Sequence, residues 1–242
     1  VTTIITVTTS IIMTTEPRSQ HDIVPLLVWL SPSFPVGSFA YSHGLEWVVE
    51  AGDVRDLATL EGWLTDLFNH GGPWSDAVLL ALTHKAVRTN DDAMLAEVIE
   101  LATALAPSKE RRMETLNQGA AFLAAVRAAW PCVALDQAKR FESGIAFPVA
   151  IGVAAGGHGL GLPGTLEAYL ISFATNLISA AVRLIPLGQT DGIKAVAKIA
   201  PLAKKIAVRA ASASIDDVGG AALRSDIASM RHETQYTRLF RS

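Results

Sequence analysis

The chain has 242 residues, 50% of them hydrophobic and 18% charged, which excludes a disordered polymer and fits one domain with one sizeable core. Its net charge of −3 excludes a global basic field that would gather nucleic acid or anionic lipid. The lone cysteine, Cys132, excludes an internal disulfide and suits a reducing cytoplasm.

Residues 1–20 open with VTTIITVTTSIIMTT, a Thr/Ile-rich run with no basic residue before Arg18. A secretory signal needs a positive leading region, so this run is a poor one. Met13 offers a second start besides Val1, and residues 1–20 are expected to be a disordered or mis-annotated leader outside the fold. From residue 22 the periodicity is helical almost throughout. A short apolar helix over 22–30 stops at Ser31-Pro32. Leu45, Val48 and Val49 share one face of a helix ending at Gly52. Asp53 is expected to cap a helix carrying Leu57, Leu60, Leu64, Leu67 and Phe68, stopped by Gly71-Gly72-Pro73. Ser75 is expected to cap the next, running to about Arg88. Asn90-Asp91 opens another, and Pro107 or Ser108 opens a longer one to about Trp130.

Residues 135–143 read as a weak helix. Residues 148–155 form a further one, broken by Gly156-Gly157-His158-Gly159. Strong helices follow over 165–185 and 191–211, the second expected to kink or divide at Pro201. The fold class is therefore all-α: one globular domain over 21–228 with about nine to ten helices, then a tail over 229–242. Residues 143–166 are uncharged, but seven glycines, Pro148 and Pro163 interrupt them. Residues 168–182 are uncharged but short of the roughly 20 residues a span requires. Both read as core helices of a soluble protein.

Chemical motifs are sparse. The six histidines never fall three or four apart, which leaves no metal centre and no cofactor to expect within one chain. Gly159-x-Gly161-x-x-Gly164 matches a dinucleotide fingerprint as text, but no strand precedes it and Pro163 interrupts it. There is no P-loop, so the chain is not expected to hydrolyse nucleotide alone, and there is no nucleophile elbow. Asp91-Asp92 and Asp216-Asp217 sit at helix starts, where capping explains them. Two segments are unusual. Phe39, Tyr41 and His43 lie in a Ser/Gly-rich turn, as core plugs or as an interface anchor. Tyr236, Leu239 and Phe240 space as one helical face of the tail, among Arg231, Arg238 and Arg241. Such a stripe either docks in a partner groove, packs on its own domain, or frays.

SPSFPVGSFAYSHGLE (31–46), AAVRLIPLGQTDG (180–192) and SMRHETQYTRLFRS (229–242) resemble three ordered signatures of the UreF family of urease accessory proteins. RRMETLNQGAAF (111–122) also fits. The likeness covers residues 23–242; the leader before Pro17 has no counterpart. The resemblance implies an all-α, cytoplasmic, usually dimeric chaperone that is not an enzyme. Such a protein binds UreD (UreH in some organisms) and the GTPase UreG, and helps deliver nickel into apo-urease. It implies an interaction role for Tyr41 and, in the tail, for Arg231, His232, Tyr236, Arg238, Phe240 and Arg241. Arg183 is placed at a dimer or tail-support surface, or else ties down the tail within its own subunit. The competing readings are a stand-alone nickel carrier and a membrane-associated helical protein.

Overall fold

The computed structural model describes residues 23–141 and 144–242; the leader therefore lies outside the described residues. Among those residues there are eleven α-helices and no strand. In chain order they are α1 Val24–Trp29, α2 Leu45–Glu50, α3 Leu57–His70, α4 Gly72–Thr89, α5 Asp92–Ala104 and α6 Lys109–Ala129. Then come α7 Val133–Gln137, α8 Phe147–Gly157, α9 Leu162–Leu184, α10 Gln189–Ala210 and α11 Leu223–His232.

The all-α expectation holds, with two short helices, α7 and α11, beyond the strong periodic ones. Several boundaries differ for local reasons. Asp56, not Asp53, caps α3: its side chain accepts from the Thr59 amide in a reciprocal capping box. Asp53 instead accepts from Arg224 at 2.9 Å. Gly71-Gly72-Pro73 does not separate two helices by a loop, because Pro73 sits in the first turn of α4, where its missing N–H costs nothing. Ser75 lies within α4, and its hydroxyl accepts from the Gly219 amide. Asp91 and Ser108 do cap α5 and α6. Pro201 lies inside one continuous helix, α10, on the exposed side.

The uncharged α8 runs through the middle of the molecule, buried from Pro148 to Gly156, against α4 and α6. Gly156 and Gly157 do not break it. A Cβ on Gly152 would stand 2.8 Å from the Leu80 carbonyl oxygen, and one on Gly156 2.9 Å from that of His84. Glycine at these two positions, one turn apart, lets the α8 backbone lie directly on α4, and the packing outweighs the intrinsic helix cost of about 1 kcal/mol each. His84 Nε2 also contacts the Leu160 carbonyl at 2.8 Å, tying α4 to the turn before α9. That turn holds the Gly159–Gly164 pattern, with Gly161 flanking α9 and Pro163 in its first turn.

α9 packs on α10 and α4, and α3 on α10. By length and composition α9 alone among the described helices is apolar enough to cross a membrane, and half of that stretch is buried in the domain. Trp29 stands edge-on to Phe122 at 5.9 Å and Trp130 at 6.0 Å, seating α1 on α6. Trp29 and Phe122, both fully buried, each contribute roughly 1.5–3 kcal/mol through the area removed from water. α2, α6 and α11 meet at one end, and the site is built there.

Candidate interaction site at the chain's two signature segments

Residues 38–46 and 229–242 form one structure. Gly37 at φ 72° starts a single 3-10 turn, Ser38–Ala40. His43 and Gly44 then take positive φ, 56° and 77°, so the chain reverses and enters α2. Gly44 is required twice. Its backbone is left-handed, and a Cβ there would stand 2.7 Å from the Ser229 nitrogen of α11.

α11 ends at His232, and the tail beyond it is not helical. The expected stripe of Tyr236, Leu239 and Phe240 on one helical face is therefore absent. Phe240 is buried, whereas Tyr236 is fully exposed and Leu239 is 63% exposed. Turns and bends replace the helix over 233–240, so Leu239 is exposed while its neighbour Phe240 is buried.

Carboxylates hold the tail. Glu46, buried on α2, accepts from the amides of Leu239 at 2.6 Å and Phe240 at 2.9 Å. His232, fully buried, sets Nε2 against Glu46 at 3.2 Å and Nδ1 against Glu110 of α6 at 2.6 Å. The second oxygen of Glu110 accepts from Arg238 at 2.6 Å. Glu233 accepts from the Lys109 amide at 2.7 Å and the Glu110 amide at 3.3 Å, at the first turn of α6. There a carboxylate also complements the helix dipole. Beyond them the Arg241 amide donates to the Ala40 carbonyl at 2.8 Å, and the Ser242 hydroxyl to Glu114 at 2.6 Å. Hydrogen bonds to charged groups contribute about 1.5–3 kcal/mol each, so this set fixes a segment that has no helix of its own.

Arg183, from the end of α9, closes the site. It donates to the Phe39 carbonyl at 2.9 Å, and its guanidinium lies 4.4 Å over the Phe240 ring. Within this chain, Arg183 thus braces the tail. Tyr41 is buried, and its carbonyl accepts from Asn176 of α9 at 3.3 Å. The structure brings Tyr41, Arg183, His232, Arg238, Phe240 and Arg241 into one assembly. Tyr236 and Arg231 stand outside it on the surface.

Behind the turn, Glu114 is buried between Arg111, with which it forms an ion pair, and His43 Nε2 at 3.0 Å. Burial pushes the Glu114 carboxyl up, but Arg111 and His43 outweigh it and hold it far below the usual carboxylate range. Burial, then Arg111, pushes His43 down, so its neutral form is favoured. A cavity of about 310 Å³ opens beside this group, lined by His43, Asp76 and Arg111 among others. Burial pushes Asp76 up to about 6, against Arg111 and the Tyr169 hydroxyl that donates to it at 2.7 Å.

The sequence reading missed Glu46, Glu110 and Glu114. The available signal was a carboxylate facing the core: Glu46 follows Leu45 and precedes Val48, and Glu114 lies one turn from Gln118, also buried.

The UreF family model matches residues 54–200. The chain belongs to the UreF family. A urease accessory protein UreF of Xanthobacter autotrophicus is 55% identical over 228 residues, covering 94% of each chain. One of Methylorubrum populi is 50% identical over 222 residues, covering 91% of this chain and 99% of its own. One of Rhodopseudomonas palustris is 48% identical over 240 residues, covering 95% and 100%. As a UreF family member the chain is a urease accessory protein and not an enzyme. Arg183, Glu110 and Glu114 lie inside the UreF model match, whereas residues 38–46 and 229–242 lie outside it.

Proposed function

We propose that the chain is a scaffold for urease maturation. It binds UreD (UreH), recruits the GTPase UreG, and couples the GTP cycle to nickel delivery into apo-urease, as a cytoplasmic homodimer. Nickel is the cargo of the complex rather than a resident cofactor of this chain. The observation that carries the reading is the braced tail, which turns Tyr236, Leu239, Arg231, Arg238 and Arg241 to the surface while Phe240 and His232 anchor it. An exposed aromatic and aliphatic pair among arginines suits a partner with an apolar pocket and acidic rim. Tyr41, Arg183, His232 and Phe240 contribute by shaping that surface. The apolar side chains that α1 leaves exposed, Ile23, Val24 and Leu27, support pairing of two copies.

The test is co-purification with UreD, then with UreG. The double substitution Tyr236→Ala, Leu239→Asp alters only exposed side chains, so circular dichroism stays that of the parent while UreD capture is lost. Unchanged capture by a folded double variant overturns the assignment of the tail.

A further inference from the structure

We propose that Glu46 and Glu110, bridged by His232, are positioning residues for partner binding: they form a clamp that sets the shape in which the tail is displayed. The inference rests on the reading of the tail as a docking element and assigns its control to residues within the domain.

The geometry gives the clamp three properties. First, it acts on backbone: Glu46 takes the consecutive amides of Leu239 and Phe240, one per oxygen. Two consecutive amides bound to one carboxylate fix the path between an outward side chain, Leu239, and an inward one, Phe240. Second, it is closed: His232 contacts both carboxylates, and Glu110 also accepts from Arg238. The charged groups facing His232 are these two carboxylates, from α2 and α6, with Arg238 on the far side of Glu110. Third, it is buried. His232 is 0% exposed and Glu46 7%, so water does not substitute for a lost partner. A tail held this way meets its partner already shaped, which removes an ordering cost from binding.

Glu46→Gln keeps the shape of the side chain but replaces one acceptor oxygen with an NH2 group, which cannot accept from both amides at once. Hydrogen exchange of the full-length chain reads the clamp, and titration with purified UreD reads binding. The expected result is at least tenfold faster exchange at Leu239 and Phe240, unchanged protection in α4 and α8, and at least tenfold weaker UreD binding. Glu110→Gln, half-buried on α6, weakens the contacts to His232 and Arg238 without changing a side chain of the displayed surface, and is expected to shift both readouts the same way by a smaller factor. It serves as the test if Glu46→Gln loses protection throughout. Unchanged tail protection in these variants overturns the clamp. Weaker binding with an intact tail also overturns it, because Glu46 would then touch the partner directly. Faster tail exchange with unchanged UreD affinity overturns the clamp's role in display; the docking role of the tail is read separately, by the Tyr236→Ala, Leu239→Asp variant.

Discussion

Ser42 and Ser242 meet across 200 positions of sequence: the main-chain oxygen of Ser242 accepts from the Ser42 amide at 2.8 Å and from its hydroxyl at 2.6 Å. The same hydroxyl accepts from the Glu46 amide at the start of α2. One small side chain thus ties the tail to the helix that carries the clamp. Ser42→Ala is expected to cost about 1 kcal/mol, the usual net value of such bonds. Urea unfolding measures the loss, and trypsin should cut faster after Arg238 than in the parent.

Gly44 is a sharper test of the same contact. Alanine there meets both a left-handed backbone, about 1–2 kcal/mol for an L-residue, and the α11 backbone at 2.7–2.9 Å. Gly44→Ala is expected to lower stability by at least about 2 kcal/mol. Gly62→Ala, in α3 with nothing within 4 Å of its Cβ, is the control and is expected to raise stability by roughly 0.5–1 kcal/mol. Paired urea melts decide. Similar losses in both would remove the steric argument.

Arg183 combines a stacked and a hydrogen-bonded contact, which a lysine ammonium does not reproduce. Arg183→Lys is expected to lose about 1 kcal/mol at this exposed site and to speed amide exchange at Phe240. Parent-like exchange would show that the guanidinium does not brace the ring.

Asp76 gives a pH dependence with a definite sign. Its carboxyl rises on folding from 3.8 to about 6, so the native state holds this proton more tightly than the unfolded chain. The contribution is fully present below pH 3.8 and is lost as pH rises through about 6. Asp76→Asn removes that loss. It is expected to exceed the parent in stability at pH 8 by up to about 3 kcal/mol, from a shift of roughly two units at 1.36 kcal/mol each. The advantage should shrink steadily as pH falls towards 4. Urea melts at several pH values check it, and a constant difference would contradict the assignment.

Helix identity was legible because it is written locally. Leu60, Leu64, Leu67 and Phe68 recur on one face of α3 and are all buried, and Asp91 and Ser108 cap where expected. One failure was local: Asp53 was the wrong cap because Asp56 and Thr59 form the box that starts α3, which leaves Asp53 to pair with Arg224, 171 positions away. The others came where a distant partner decided. Gly156 stayed helical because its bare backbone packs directly on α4, a contact that offsets the low helix propensity of glycine. The tail was the largest miss. Tyr236, Leu239 and Phe240 space like a helical stripe, yet Glu46 and Glu110 hold a non-helical path that no local pattern announces. The signature segments marked where the site lies, but not the carboxylates that assemble it.

α6 takes part of its N-terminal capping from elsewhere. Beyond Ser108, two of its first amides are satisfied by Glu233, more than 120 residues downstream. The helix is 21 residues long, some 30 Å at 1.5 Å per residue, and one turn in it carries Glu114 beside the His43 cavity. Displacing Glu233 would therefore leave the Lys109 and Glu110 amides, at the first turn of this rod, without that acceptor. The tail and the buried Glu114 carboxylate thus share a single helix.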